Sequence, residues 1–139
     1  MSHARERVRE ELLADGLVDL IDLSLINWRV LQQNRSASVS EVQHETLEVI
    51  RSMVSDGLFQ LGYRGEGGKF VAWDETLDQS MNAIYDAYVT HHDDRPGWVW
   101  FAWLNLTDKG EELALSTEYG RQVAKDVEQR LRERDYLCD

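Results

Sequence analysis

Trp98-Val99-Trp100-Phe101-Ala102-Trp103-Leu104 is the densest apolar run of the chain, and it leads into Leu106-Thr107-Asp108-Lys109-Gly110-Glu111-Glu112-Leu113-Ala114. Read as a strand, the run points Trp98, Trp100, Ala102 and Leu104 to one side and Val99, Phe101 and Trp103 to the other, because side chains alternate along a strand. Both faces then need cover, so the segment is expected to organise the fold. Thr107 is placed to cap a helix, with Gly110 early in it as a weak helix former.

Upstream, Val8, Leu12, Leu13, Leu17, Leu20 and Ile21 recur at helical intervals, which predicts helix over most of 5–32 with a break at Gly16 or Ser24. Ser38-Val39-Ser40-Glu41 has the capping-box spacing, and Leu47, Ile50, Val54 and Leu58 carry the stripe of that helix to a stop at Asp56-Gly57. The stretches 58–63 and 69–73 read as paired strands around Arg64-Gly65-Glu66-Gly67-Gly68. Asp74 is the expected N-cap of a further helix bearing Leu77, Met81, Ile84, Tyr85, Tyr88 and Val89, and Thr117 to Tyr136 reads as a last, charged helix. The expectation is one α+β domain over 1–139, with a small antiparallel sheet, a helical insertion near 75–90 and a C-terminal helical extension.

The order of helix, helix, capped helix over 39–56 and glycine-turned hairpin over 58–73 resembles a winged-helix domain. Leu106-Thr107-Asp108-Lys109-Gly110 is similar to the exit after the wing in winged-helix regulators of the multiple-antibiotic-resistance type. The resemblance spans 17–114 and implies a DNA-binding regulator, often dimeric, contacting DNA near Gln43, His44, Arg51, Arg64 and Lys69. Two features depart from that pattern: the inserted segment from Asp74 to Gly97, and a recognition-helix equivalent with Glu41, Glu45, Glu48 and Asp56 against one base, Arg51. A helix entering the major groove needs phosphate neutralisation, so this charge disfavours nucleic acid.

The chain carries 26 acids and 15 bases, a formal charge of −11. Residues 36–107 hold 11 acids and four bases, hence −7, which suits solubility and a basic protein partner. The one cysteine, Cys138, excludes an internal disulfide framework and suits a reducing compartment. With no apolar leader at Met1 and no run of 18 apolar residues, a cytoplasmic protein with no membrane association is expected.

His91-His92-Asp93-Asp94 concentrates groups able to bind metal or move protons, and a small metal-binding or hydrolytic protein is the alternative it carries. Adjacent residues need a distant third ligand, for which His44 and Asp74 are candidates, and the plainer reading is a solvated loop at a helix end. Gly65-Glu66-Gly67-Gly68-Lys69 lacks phosphate-loop spacing, and neither Ser38, Ser40, Ser52 nor Cys138 sits in a nucleophile motif. No cofactor, metal or catalytic residue is assigned. Trp73, Trp98, Trp100, Phe101 and Trp103, with Tyr85 and Tyr88, are expected first to pack the core. Those nearest the acidic loop, Trp98 and Trp100 with Asp93 and Asp94, are the candidate contacts of a non-enzymatic protein-binding domain with an inhibitor, immunity-like or adaptor role. The sequence leaves the oligomeric state open, with a dimer as one option.

Overall fold

A computed structural model describes residues 3–137. The chain is α+β, with a small four-stranded antiparallel sheet and a long C-terminal helix. In order the elements are α1 (His3–Gly16), β1 (Ile21–Asp22), α2 (Leu23–Gln33), α3 (Val39–Ser55), β2 (Phe59–Arg64) and β3 (Phe70–Ala72). There follow α4 (Leu77–Tyr85), a π turn over Asp86–Thr90, α5 (Arg95–Val99), β4 (Trp103–Leu106), α6 (Asp108–Leu115) and α7 (Glu118–Leu137). No described helix is long and apolar enough to cross a membrane.

The sheet order is β1-β4-β2-β3, all pairs antiparallel, so β4 reaches back past α4, the π turn and α5 to lie between the first two strands. Register sorts its faces. Ile21, Leu104 and Leu61 form one row across three strands, and all are buried against the helices. The neighbouring row is Asp22, Trp103, Gly62 and Ala72, which alternation places on the opposite face.

Local capping follows the sequence closely. The Ser38 hydroxyl accepts the Glu41 amide at 3.2 Å while Glu41 accepts the Ser38 amide at 3.0 Å. Gly57, at φ 76°, ends α3 in the left-handed conformation. The exit segment then closes onto this turn: the Thr107 hydroxyl donates to the Gly57 carbonyl at 2.6 Å and the Thr107 amide to Leu58 O at 3.0 Å. Lys109 donates to Asp56 O at 2.7 Å, placing a cation at the carbonyl end of α3 where the helix dipole favours it. Thr107 thus addresses Gly57 and Leu58, and Lys109 addresses Asp56.

Three expectations are corrected. The run from Trp98 to Leu104 is not one strand. Asp94 caps α5, its carboxylate accepting the Gly97 amide at 3.4 Å, and Pro96 sits in the first turn where its missing N–H costs nothing; only Trp103–Leu106 is strand. The N-cap of α4 is Thr76 rather than Asp74, because Thr76 forms a reciprocal box with Gln79 at 3.0 and 3.1 Å. Between the first two helices the break takes in both Gly16, the last residue of α1, and a two-residue strand just before Ser24.

Ion pairs across helices hold α1 in place: Arg5 binds both Glu45 oxygens, at 2.6 and 2.8 Å, and Arg9 binds Asp56 at 2.8 Å. Arg29 of α2 bridges Glu11 and Asp15 of α1, each at 2.8 Å. Tyr88 is buried and donates its phenol proton to Asn27 Oδ1. The buried Thr46 hydroxyl is near enough to favour the phenolate but makes no hydrogen bond of normal geometry.

Burial pushes Tyr88 up from 10.0 to about 12. The folded state therefore keeps this proton to higher pH than the unfolded chain. Stability should be insensitive to Tyr88 below pH 10, fall by about 2–3 kcal/mol between roughly 10 and 12, and level off above. Denaturant melts across that window, with Tyr88→Phe as the control that removes the slope, check this.

Candidate protein-binding surface

Trp98 and Trp100 differ sharply. Trp98 is 2% exposed, its indole N–H donating to His92 O at 2.8 Å, its ring stacked on His92 and edge-on to Tyr88. It is core and offers no free surface, which corrects its place beside Trp100 as a contact residue. Trp100 is 60% exposed. Secondary structure causes the split: residues two apart share a face on a strand but lie about 200° apart on a helix. Trp98 in α5 turns inward, and Trp100, the C-cap of α5, turns out.

Trp100 stacks on Trp103 with centroids 5.6 Å apart and planes 21° from parallel. The Arg64 guanidinium lies 5.2 Å from the Trp103 ring. Gly62, paired with Trp103, is bare by necessity: a Cβ there would meet Val71 O at 2.1 Å and the Phe70 ring at 2.7 Å. Register, glycine and rings together build a ledge on the other sheet face, where the exposed Trp100 lies on Trp103, itself only 8% exposed, with one guanidinium beside them.

Beside the ledge runs a groove of about 340 Å³ formed by Asp22, Ser24, Arg95, Pro96, Val99 and Trp100. Pro96, Val99 and the indole make its apolar part. Arg95 reaches Ser24 Oγ at 3.4 Å and lies 5.4 Å from the Trp98 ring, while the Asp22 carboxylate accepts the Leu25 amide at 2.9 Å as the cap of α2. Asp94 is engaged as the cap of α5, and Asp93 is exposed at the approach to it. Tryptophan and arginine on a shaped apolar surface are the residue types that dominate protein interfaces. Burying the rest of one indole is worth on the order of 2 kcal/mol.

The residues a DNA reader would use do not form a basic face. Gln43 is 8% exposed, inside the core; Arg51 is paired with Asp78 of α4 at 2.8 Å; Arg64 lies against the Trp103 ring. His44 and Lys69 are exposed. Asp78 of α4 thus supplies the carboxylate that answers the one base of α3.

His91 and His92 are used locally. Their Nδ1 atoms lie 2.9 Å from Asp86 O and 3.0 Å from Tyr88 O. A carbonyl only accepts, so each Nδ1 carries a hydrogen, and the rings finish the carbonyl end of the π turn. Among the described residues no three His, Cys, Asp or Glu side chains are grouped to hold a metal, and Cys138 lies outside the described residues.

The site residues that sequence reasoning missed are Trp103 and Arg64 as parts of the ledge and Asp22, Ser24, Arg95, Pro96 and Val99 as its groove. Asp94-Arg95-Pro96 was the available signal, since it marks a helix start and therefore a change of face between positions 98 and 100. The chain matches no protein-family model, no curated protein and no solved structure.

Proposed function

We propose that this is a non-enzymatic, cytoplasmic protein-binding domain that uses a winged-helix-like scaffold for a protein partner, with Trp100 at the centre of contact. The observation that carries it is the exposed Trp100 stacked on Trp103 beside an apolar groove. Unlike a lone exposed ring, Trp100 stands on a second indole at the edge of an apolar groove, and a partner covering it would remove that apolar surface from water. The strand order β1-β4-β2, with α3 leading into β2, supports the scaffold reading, the insertion taking the place of a simple wing. The −7 charge of residues 36–107 favours a basic protein, in an inhibitor, immunity-like or adaptor role.

The neutralised Arg51 and buried Gln43 argue against duplex DNA. Titration of labelled mixed-sequence duplex at low and moderate salt should give no binding tighter than about 100 µM. Low-micromolar binding that weakens steeply with salt, the mark of phosphate neutralisation, would favour the regulator reading instead.

A further inference from the structure

A second concavity lies away from the Trp100 ledge, where the end of α3, strand β2 and the start of α4 meet. It is an open concavity of about 310 Å³, at the small end of the range for ligand sites. Phe59, Leu61, Trp73 and Leu77 supply apolar walls. Three polar side chains border it without partners among the described residues. Ser80 is only 3% exposed, lines the cavity, and its hydroxyl makes no hydrogen bond to any described residue. The little of Ser80 that stays exposed includes the hydroxyl oxygen, so the group is accessible as a donor and acceptor to a molecule in the cavity. Gln60 leaves its amide unbonded, and Glu75 forms no ion pair.

Charge selects the kind of ligand. The donors at the start of α4 are taken up by the Thr76–Gln79 box, so no free helix N-terminus is offered to an anion. Glu75 and the neighbouring Asp74 are unpaired carboxylates, while the nearby Lys109 is turned to Asp56 O. An ammonium suits Glu75 and can also lie against the Trp73 face. We infer that this cavity binds a small organic amine with an aromatic or branched apolar body, the body against Phe59, Leu61, Trp73 and Leu77, the ammonium at Glu75 and a hydrogen bond to Ser80.

The test uses the whole protein, isotopically labelled, with phenethylamine as probe and 3-phenylpropionate as a carboxylate of similar shape. Amide shifts of Gly57, Leu77 and Ser80 and the Trp73 indole should move with phenethylamine, with Kd on the order of 0.1–1 mM for a fragment of this size. The carboxylate should bind at least tenfold more weakly. Glu75→Gln should weaken the amine several-fold and remove its salt dependence, and Ser80→Ala about fivefold, both variants folding because neither side chain holds another residue. No shift at these positions with millimolar amine, equal binding of the carboxylate, or shifts confined to other surfaces would each overturn the inference. Since Trp100 is not involved, Trp100→Ala should bind phenethylamine as the wild type does, so this outcome is independent of the protein-binding surface.

Discussion

Gly110→Ala is expected to destabilise the protein by about 3 kcal/mol, although helix propensity alone predicts a gain of about 1 kcal/mol for alanine over glycine. The new Cβ would stand 2.2 Å from Leu58 O and 2.7 Å from Leu106 Cδ1. A leucine tip can swing aside, but the Leu58 carbonyl cannot, because it accepts the Thr107 amide at 3.0 Å at the start of the β2–β4 pairing. Relieving the clash means pushing α6 off the end of α3 and loosening the Thr107 and Lys109 hydrogen bonds with it. Thermal melts should show a loss of roughly 10 °C. Gly67→Ala is the contrast: its Cβ meets nothing within 4 Å and only the φ of 72° resists it, so about 1 kcal/mol is expected. A Gly110→Ala protein as stable as the wild type would show that α6 does not pack against Leu58 as described.

The second large effect separates the two tryptophans. Trp98→Ala removes a fully packed indole, its hydrogen bond to His92 O and its ring contacts with His92 and Tyr88, and should cost about 3–5 kcal/mol. Trp100→Ala removes one exposed ring and its stack on Trp103, and should cost no more than about 1 kcal/mol. Chemical denaturation of both variants decides it. Equal losses would place Trp100 in the core and end its candidacy as a contact residue.

These two predictions show what the chain discloses in one dimension. Features set by near neighbours were legible: the Ser38–Glu41 box, the Gly57 stop, the Thr107 cap and the hairpin of β2 and β3 all follow from residues within a few positions. Trp98 to Leu104 was harder, because an uninterrupted apolar run has no period with which to tell helix from strand. Its upstream neighbours Asp94 and Pro96 held the answer, and with it the opposite fates of Trp98 and Trp100. β1 has two residues, too short for alternation to register, and exists because β4 pairs with it. Gly110 looked like a weak point in a helix until Leu58, 52 positions earlier, explained it. The bridges from Arg5, Arg9 and Arg29 likewise join helices whose packing no local pattern reveals. They also change the meaning of the acidic total, since Glu45, Asp56 and Asp78 are already answered by arginines. Asp74, Glu75 and Asp93 have no such arginine among the described residues.

The central claim is that a partner protein covers the Trp100 ledge. It is tested most directly by placing a photoreactive amino acid at position 100 and, as a control, at the exposed Leu131 of α7, then irradiating cells of the source organism that express each form. A discrete adduct with one basic protein is expected from position 100 and not from position 131. A position 100 that yields no adduct beyond the control, or that crosslinks to nucleic acid, would contradict it.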